Sequence, residues 1–95
     1  MDKKIFAERC EEVIAQTKEN TPKVIAGLMA EMIWEMRFNT EHRGGDMEGI
    51  KKAVADGYLA LALAQHFYRI PSGVIDKIIE EQLTKVETDP EKTDG

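Results

Sequence analysis

Three carboxylates in apolar stretches of the sequence are the first candidates for chemistry. Glu31 and Glu35 lie in AGLMAEMIWEM, residues 26–36, and Asp56 lies in KKAVADGYLALALAQHF, residues 51–67. Because Glu31 and Glu35 are four positions apart, they share one face of a helix, where two negative charges repel each other. The neighbours of Asp56 one turn away are mostly apolar, and an unpaired charge in such surroundings is costly. A nearby cation would therefore stabilise both segments.

Two cations are candidates, and a third interpretation needs none. Mg²⁺ prefers oxygen ligands, which carboxylates on two facing helices can supply. Lys52 precedes Asp56 by four positions and can form an ion pair with it on the same helix face. Glu31 and Glu35 can equally be the solvated face of an ordinary amphipathic helix, in which case they form no site.

Helical spacing of the apolar residues predicts the elements that position these acids. No alternation typical of strands persists, and the expected fold is all-α, a four-helix bundle with short connections. Its helices are predicted near residues 3–19, 22–38, 46–69 and 72–87. We expect a single helical domain over residues 1–87 and a flexible polar tail over residues 88–95.

The third predicted helix is unusually rich in small residues on nearly every side. Alanines and a glycine alternate there with leucines, and an apolar surface all round is typical of a central, buried helix. In a chain of only 95 residues, such a helix also suggests that a partner subunit covers one side.

Composition excludes several classes of function. The net charge of −5 and the scattered basic residues disfavour a nucleic-acid polymer as partner. The longest apolar run is too short to span a bilayer, so we expect no membrane association and a cytoplasmic location. Cys10 is the single cysteine, which excludes an intrachain disulfide, and its place on an apolar stripe predicts a core residue rather than a nucleophile.

The order of elements resembles that of the MazG-like all-α nucleoside triphosphate pyrophosphohydrolases over roughly residues 22–87. An acid-bearing helix precedes a Gly-rich loop, and a long helix with Asp56 near its start follows. The turn RIPSGV and a final helix rich in Ile, Glu and Lys complete the similarity. Phosphoribosyl-ATP pyrophosphohydrolases are a close second resemblance.

This resemblance implies an activity and a site. The family holds Mg²⁺ with two acidic motifs and hydrolyses nucleoside triphosphates to monophosphate and pyrophosphate, commonly as homo-oligomers (dimers or tetramers). It implies that Glu31, Glu35 and Asp56 are the catalytic and metal-binding residues of this chain. The resemblance places His66 near a polar nucleotide contact of the family, although a lone His also suits a core or the surface. From the residues themselves, Lys52 is a candidate for binding a phosphate, and Trp34 is a candidate for stacking on a base as an alternative to a place in the core.

Two positions depart from the family pattern. Met32 and Ala53 stand where the two motifs carry further glutamates. A second hypothesis is therefore a catalytically degenerate relative that serves as a helical oligomerisation or regulatory module. A third is an unrelated four-helix bundle without a site.

Overall fold

The computed structural model describes residues 2–41 and 46–88, and within them it contains only helices. Four α-helices follow one another, and a short 3-10 helix at Lys18–Asn20 joins the first two. They are α1 (Lys3–Thr17), α2 (Thr21–Glu41), α3 (Met47–Phe67) and α4 (Ser72–Thr88). The predicted all-α class is confirmed. The Gly-rich loop and the polar tail fall largely outside the described residues.

Aspartate caps begin two of the helices. The carboxylate of Asp2 accepts hydrogen bonds from the backbone N–H groups of Lys4 at 2.7 Å and Ile5 at 3.3 Å. That of Asp46 accepts one from the N–H of Glu48 at 3.2 Å. Because the first N–H groups of a helix lack partners within it, these side chains define where α1 and α3 start.

Helix α2 extends three residues beyond its predicted end. Asn39 and Thr40 favour turns, since their side chains compete for backbone hydrogen bonds. Here each side chain instead donates to the carbonyl four residues earlier. Asn39 donates to Glu35 and Thr40 to Met36, both at 2.7 Å, so that the helix continues to Glu41.

Helix α3 is the centre of the packing, as its small residues predicted. It lies against α2 along much of its length and also contacts α1. Gly57 is buried where a Cβ would come within 2.9 Å of the sulfur of Met32, so the two backbones approach closely. The buried apolar core consists of Cys10, Ala53, Ala60 and Leu63.

A second close approach involves Gly49 of α3 and Asn39 of α2. A Cβ on Gly49 would overlap the side-chain amide of Asn39, which is itself buried. We expect Gly49→Ala to lower the free energy of unfolding by about 1–3 kcal/mol, because a buried amide would have to move. Urea denaturation followed by circular dichroism measures this change.

The matched control is Gly27→Ala. Gly27 lies within α2 with no atom near the position of an added Cβ, so alanine there should stabilise the protein by about 0.5–1 kcal/mol. Equal effects of the two substitutions would contradict the close approach at Gly49.

Helix α4 does not join the core, so the predicted closed four-helix bundle is not confirmed. A hydrogen bond at 3.2 Å from Gln65 Nε2 to Ser72 Oγ ties its first residue to α3. Beyond it, no Cα atom of α4 comes within 8 Å of α1, α2 or α3 in the described part of the chain. Across residues 2–41 and 46–88, no helix combines the length and apolar character that crossing a membrane requires.

Candidate functional site

The packing of α2 against α3 brings the candidate acids to one flank of the helix pair. Asn39 lies opposite Gly49 and Met32 opposite Gly57, which fixes an antiparallel register. Glu35 falls between these two contacts on α2. The candidate acids of α2 therefore lie beside the first half of α3, where Lys52 and Asp56 are found.

Lys52 is the cation of this region. Its Nζ lies 3.2 Å from Oδ2 of Asp56, whose side chain is only 17% exposed. The hydrogen bond to Asp56 and the charge of Asp56 raise the pKa of Lys52, and the charges of Glu31 and Glu35 raise it further. All three predicted acids thus act on one ammonium group. We call Glu31, Glu35 and Asp56, together with Lys52, the acid cluster.

Asn39 holds one member of the acid cluster in place, and sequence reasoning missed it. Its Nδ2 donates to Oε2 of Glu35 at 3.0 Å as well as to the Glu35 carbonyl. The residue is 1% exposed, and its Oδ1 has no hydrogen-bond partner among the described residues. An orphaned buried oxygen is costly, so this amide fixes Glu35 at some expense in stability. In the sequence, the signal for this contact is that Asn39 follows Glu35 by four positions.

The acid cluster suits Mg²⁺ in donor type and charge. Carboxylate oxygens, and an amide oxygen such as Asn39 Oδ1, are ligands that Mg²⁺ accepts. Three carboxylates and one ammonium leave two formal negative charges, which one divalent cation would balance. Within residues 2–41 and 46–88, however, no three His, Cys, Asp or Glu side chains lie close enough together to hold a metal ion. Lys52 instead neutralises Asp56 directly.

His66 lies away from the acid cluster, and its contact with a nucleotide stays a prediction. Its Nδ1 is 3.8 Å from Oε2 of Glu11, and Arg69 Nη1 bonds Oε1 of Glu11 at 2.6 Å. Ten residues of helix separate His66 from Asp56, about 15 Å along the axis. The end of α3 faces α1, and Arg69, just beyond that end, forms the ion pair that joins it to Glu11 of α1.

Trp34 is on the surface rather than in a core. Its ring is stacked on Phe38, with centroids 4.9 Å apart and planes 7° from parallel, and the residue is 60% exposed. The pair lines a shallow groove of about 450 Å³ together with Ile33 and Arg37. Since Trp34 lies one turn from Glu31, base stacking beside the acid cluster remains a prediction.

Cys10 is a buried core residue, as predicted, and burial determines its chemistry. Burial, and secondarily the charge of Glu11, raise the pKa of its thiol above the ordinary value of 9.0. Because the thiolate is the reactive form, we expect alkylation by iodoacetamide at pH 8 to be at least about tenfold slower in the folded protein than in urea.

The raised pKa of Cys10 also determines the direction in which folding stability changes with pH. Because the folded state disfavours the thiolate of Cys10, the stability that the neutral thiol contributes is fully present below pH 9.0 and is lost as the pH rises above it.

Equal alkylation rates in buffer and in urea would contradict the burial of Cys10.

No protein-family model, curated protein or solved structure matches the chain. The likeness to MazG-like enzymes therefore stays a resemblance in element order and in the positions of Glu31, Glu35 and Asp56. Any functional proposal depends on the acid cluster and on the exposed helix surfaces.

Proposed function

We propose that this chain is a Mg²⁺-dependent nucleotide pyrophosphohydrolase of the MazG-like type. It would hydrolyse a nucleoside triphosphate or related nucleotide to the monophosphate and pyrophosphate. The observation that supports this most is the pairing of Lys52 with Asp56 at 3.2 Å on the flank where the charges of Glu31 and Glu35 also raise the pKa of Lys52. A polyanionic substrate is bound through cations, and neighbouring carboxylates are the groups that hold such cations.

The residues of the cluster have distinct proposed roles. Glu31, Glu35 and Asp56 would hold Mg²⁺ after approaching one another more closely than in the described structure. The bound ion would neutralise phosphate charge and polarise the attacked phosphorus. Lys52 is largely exposed, so its ammonium group can leave Asp56 and donate hydrogen bonds to a phosphate oxygen. Asn39 keeps Glu35 oriented, and the exposed face of Trp34 offers a surface on which a base can stack.

The reaction balances with water as the only co-reactant. The oxygen of a water molecule forms a bond to the α-phosphorus, and the bond from that phosphorus to the bridging oxygen of the pyrophosphate group breaks. Pyrophosphate leaves with the bonding electron pair. One of the two glutamates would accept the proton of the attacking water.

Assembly and location complete the proposal. We propose a homo-oligomer, a dimer or tetramer, in which the fourth helix completes the bundle expected for an all-α nucleoside triphosphate pyrophosphatase. The enzyme would act in the cytoplasm, where nucleoside triphosphates are found. The net charge of −5 supports a small nucleotide rather than a nucleic-acid polymer as its partner.

The alternative is a catalytically degenerate MazG-like module for oligomerisation or regulation. A specific observation favours it: Asp56 is already paired with Lys52 at 3.2 Å, so the carboxylate has a counter-ion without a metal. Ala53, which is fully buried, and Met32, which contacts Gly57, also stand where the resemblance implies glutamates.

Pyrophosphate release separates these two functions. The purified chain is incubated with each common ribo- and deoxyribonucleoside triphosphate, with Mg²⁺ or with EDTA, and pyrophosphate and monophosphate are quantified. The hydrolase proposal expects equimolar products from at least one nucleotide, with Mg²⁺ only. If a folded sample releases none from any nucleotide, the hydrolase proposal fails and the degenerate module is favoured.

A further inference from the structure

A groove with apolar walls lies between α1 and α3, away from the acid cluster. Its larger lobe has a volume of about 410 Å³. A second lobe of about 300 Å³ adjoins the first, because Phe6 and Leu59 line both. We call this space the α1–α3 groove, and its apolar walls include Ile5, Phe6, Val13, Tyr58, Leu59 and Leu63.

The α1–α3 groove has a buried floor and an open mouth. Cys10 and Leu63 in the larger lobe are 1% and 2% exposed, whereas Ile5 in the same lobe is 54% exposed. Sites for small molecules typically have volumes of about 300–1,000 Å³ and mostly apolar walls with a few polar groups. Each lobe falls within this range, so the groove is large enough to receive a small apolar molecule.

Both charged residues among the described lining of the groove are cations. Lys3 lines the smaller lobe and Arg9 the larger. Because both residues are exposed, their aliphatic stems flank the groove while their charged groups stay in water at its edge. The chain has 18 acidic and 13 basic residues, so a wholly cationic edge runs against its composition.

The two cations differ in how free they are to bind an anion. Arg9 Nε lies 3.6 Å from Glu12 Oε2, in a pair whose side chains are both largely exposed and which is therefore weak. No acidic group pairs with Lys3 in the described part of the chain. Lys3 is therefore the better placed of the two to bind an anionic group at the edge of the groove.

Other surface grooves of the described chain lack this combination. The groove beside Trp34 contains Arg37 paired with Glu41 at 3.4 Å. A groove on the surface of α1 contains Lys4 together with three glutamates. Acidic side chains offset the positive charge in both, whereas the lining of the α1–α3 groove combines apolar walls with positive charge alone.

We propose that the α1–α3 groove binds a free single-chain carboxylic acid, such as a medium-chain fatty acid. The carboxylate would accept a hydrogen bond from Lys3 Nζ at the edge of the smaller lobe. The hydrocarbon chain would run along the apolar walls into the larger lobe, where burial of its methylenes supplies affinity. This site uses no residue of the acid cluster and is independent of the proposed nucleotide chemistry.

Calorimetric titration of decanoate into the full wild-type chain, below the micelle concentration, tests the proposal. Saturable binding to one site is expected. Each buried methylene strengthens binding by about fourfold, so octanoate, which is two methylenes shorter, should bind about 15-fold more weakly. Bound decanoate should also slow the alkylation of Cys10, because the hydrocarbon chain covers the floor of the larger lobe.

Variants separate the charge of the groove from its apolar walls. Lys3→Gln should weaken decanoate binding by about two- to fivefold and leave the binding of uncharged decanol unchanged. Lys4→Gln is the matched control, since it makes the same change in net charge at a residue that lines a different groove. It should leave the affinities for both ligands unchanged. Ala55→Phe fills the smaller lobe from an exposed position, so it should weaken binding of both ligands.

Absence of saturable decanoate binding to the folded wild-type chain would overturn the proposal. Equal affinities for decanoate and decanol in both the wild type and Lys3→Gln would also overturn it, because the groove would then not select a carboxylate. Binding to phosphatidylserine vesicles without binding of decanoate would assign the groove to a membrane surface instead. A chain that binds decanoate but releases no pyrophosphate would refute the hydrolase proposal alone.

Discussion

Asp56→Asn is expected to reduce Mg²⁺-dependent pyrophosphate release by about 100-fold or more. The substitution keeps the shape of the side chain but removes the charge of Asp56, whose side chain is only 17% exposed. A metal held by fewer charged ligands binds more weakly, and even indirect partners of metal ligands change affinity by about 10–100-fold. The measurement is kcat/KM for pyrophosphate release at saturating and at limiting Mg²⁺.

Lys52→Met tests the same site by removing its positive charge instead of a carboxylate. It removes the counter-ion that competes for Asp56, so the Mg²⁺ concentration at half-maximal rate should fall even if loss of the phosphate contact lowers kcat. Were Asp56→Asn to retain full activity with an unchanged Mg²⁺ dependence, Asp56 would not be a ligand. The acid cluster would then be only a surface ion-pair network.

Leu63→Ala is expected to have the largest effect on stability. Leu63 is 2% exposed and belongs to the small core in which α1 packs on α3. Truncation of a buried leucine removes apolar surface that folding takes out of water, and it leaves a cavity. Together these lower the free energy of unfolding by about 2–5 kcal/mol. In a domain this small, that is a large share of the total free energy of unfolding.

The control for Leu63→Ala is Ile33→Ala, which removes a similar volume from a side chain about half exposed on α2. It should lower the free energy of unfolding by about 1 kcal/mol or less. Urea unfolding at one protein concentration compares the two, since self-association changes apparent stability. A loss below 1 kcal/mol for Leu63→Ala would mean that α1 does not pack there as described.

Helix positions were predictable because apolar spacing and caps are local signals. Asp2 and Asp46 mark the starts of α1 and α3, and the small residues of α3 indicate its central place. The end of α2 was not predictable from propensity. Asn39 and Thr40 are residues of turns, yet here they lie within the helix with their side chains bonded to carbonyls one turn earlier.

The acid cluster was predictable in part. Spacing along each helix placed Glu31 with Glu35 and Lys52 with Asp56, but only the antiparallel register of α2 and α3 brings the two pairs to the same flank. The neighbour of His66 was not predictable for the same reason. Its distance from Asp56 along α3 is set by helix rise, and the neighbour at that level is α1.

The unpartnered state of α4 was beyond sequence reasoning. An apolar stripe predicts that a helix face is buried, yet the pattern is the same whether the covering surface belongs to the chain itself or to another copy. In the described structure α4 is held to α3 by a hydrogen bond at its first residue and packs on no other described helix.

Calorimetric titration of Mg²⁺ into the wild-type chain and into Asp56→Asn is the most direct test of the acid cluster as a cation site. Saturable binding of Mg²⁺ to the wild-type chain is expected, weakened by about 10–100-fold in the variant. At one hundred times Kd, bound Mg²⁺ should raise the free energy of unfolding of the wild type by about 2.7 kcal/mol. Binding that is absent from the folded wild type, or equal in both proteins, would contradict the cation site.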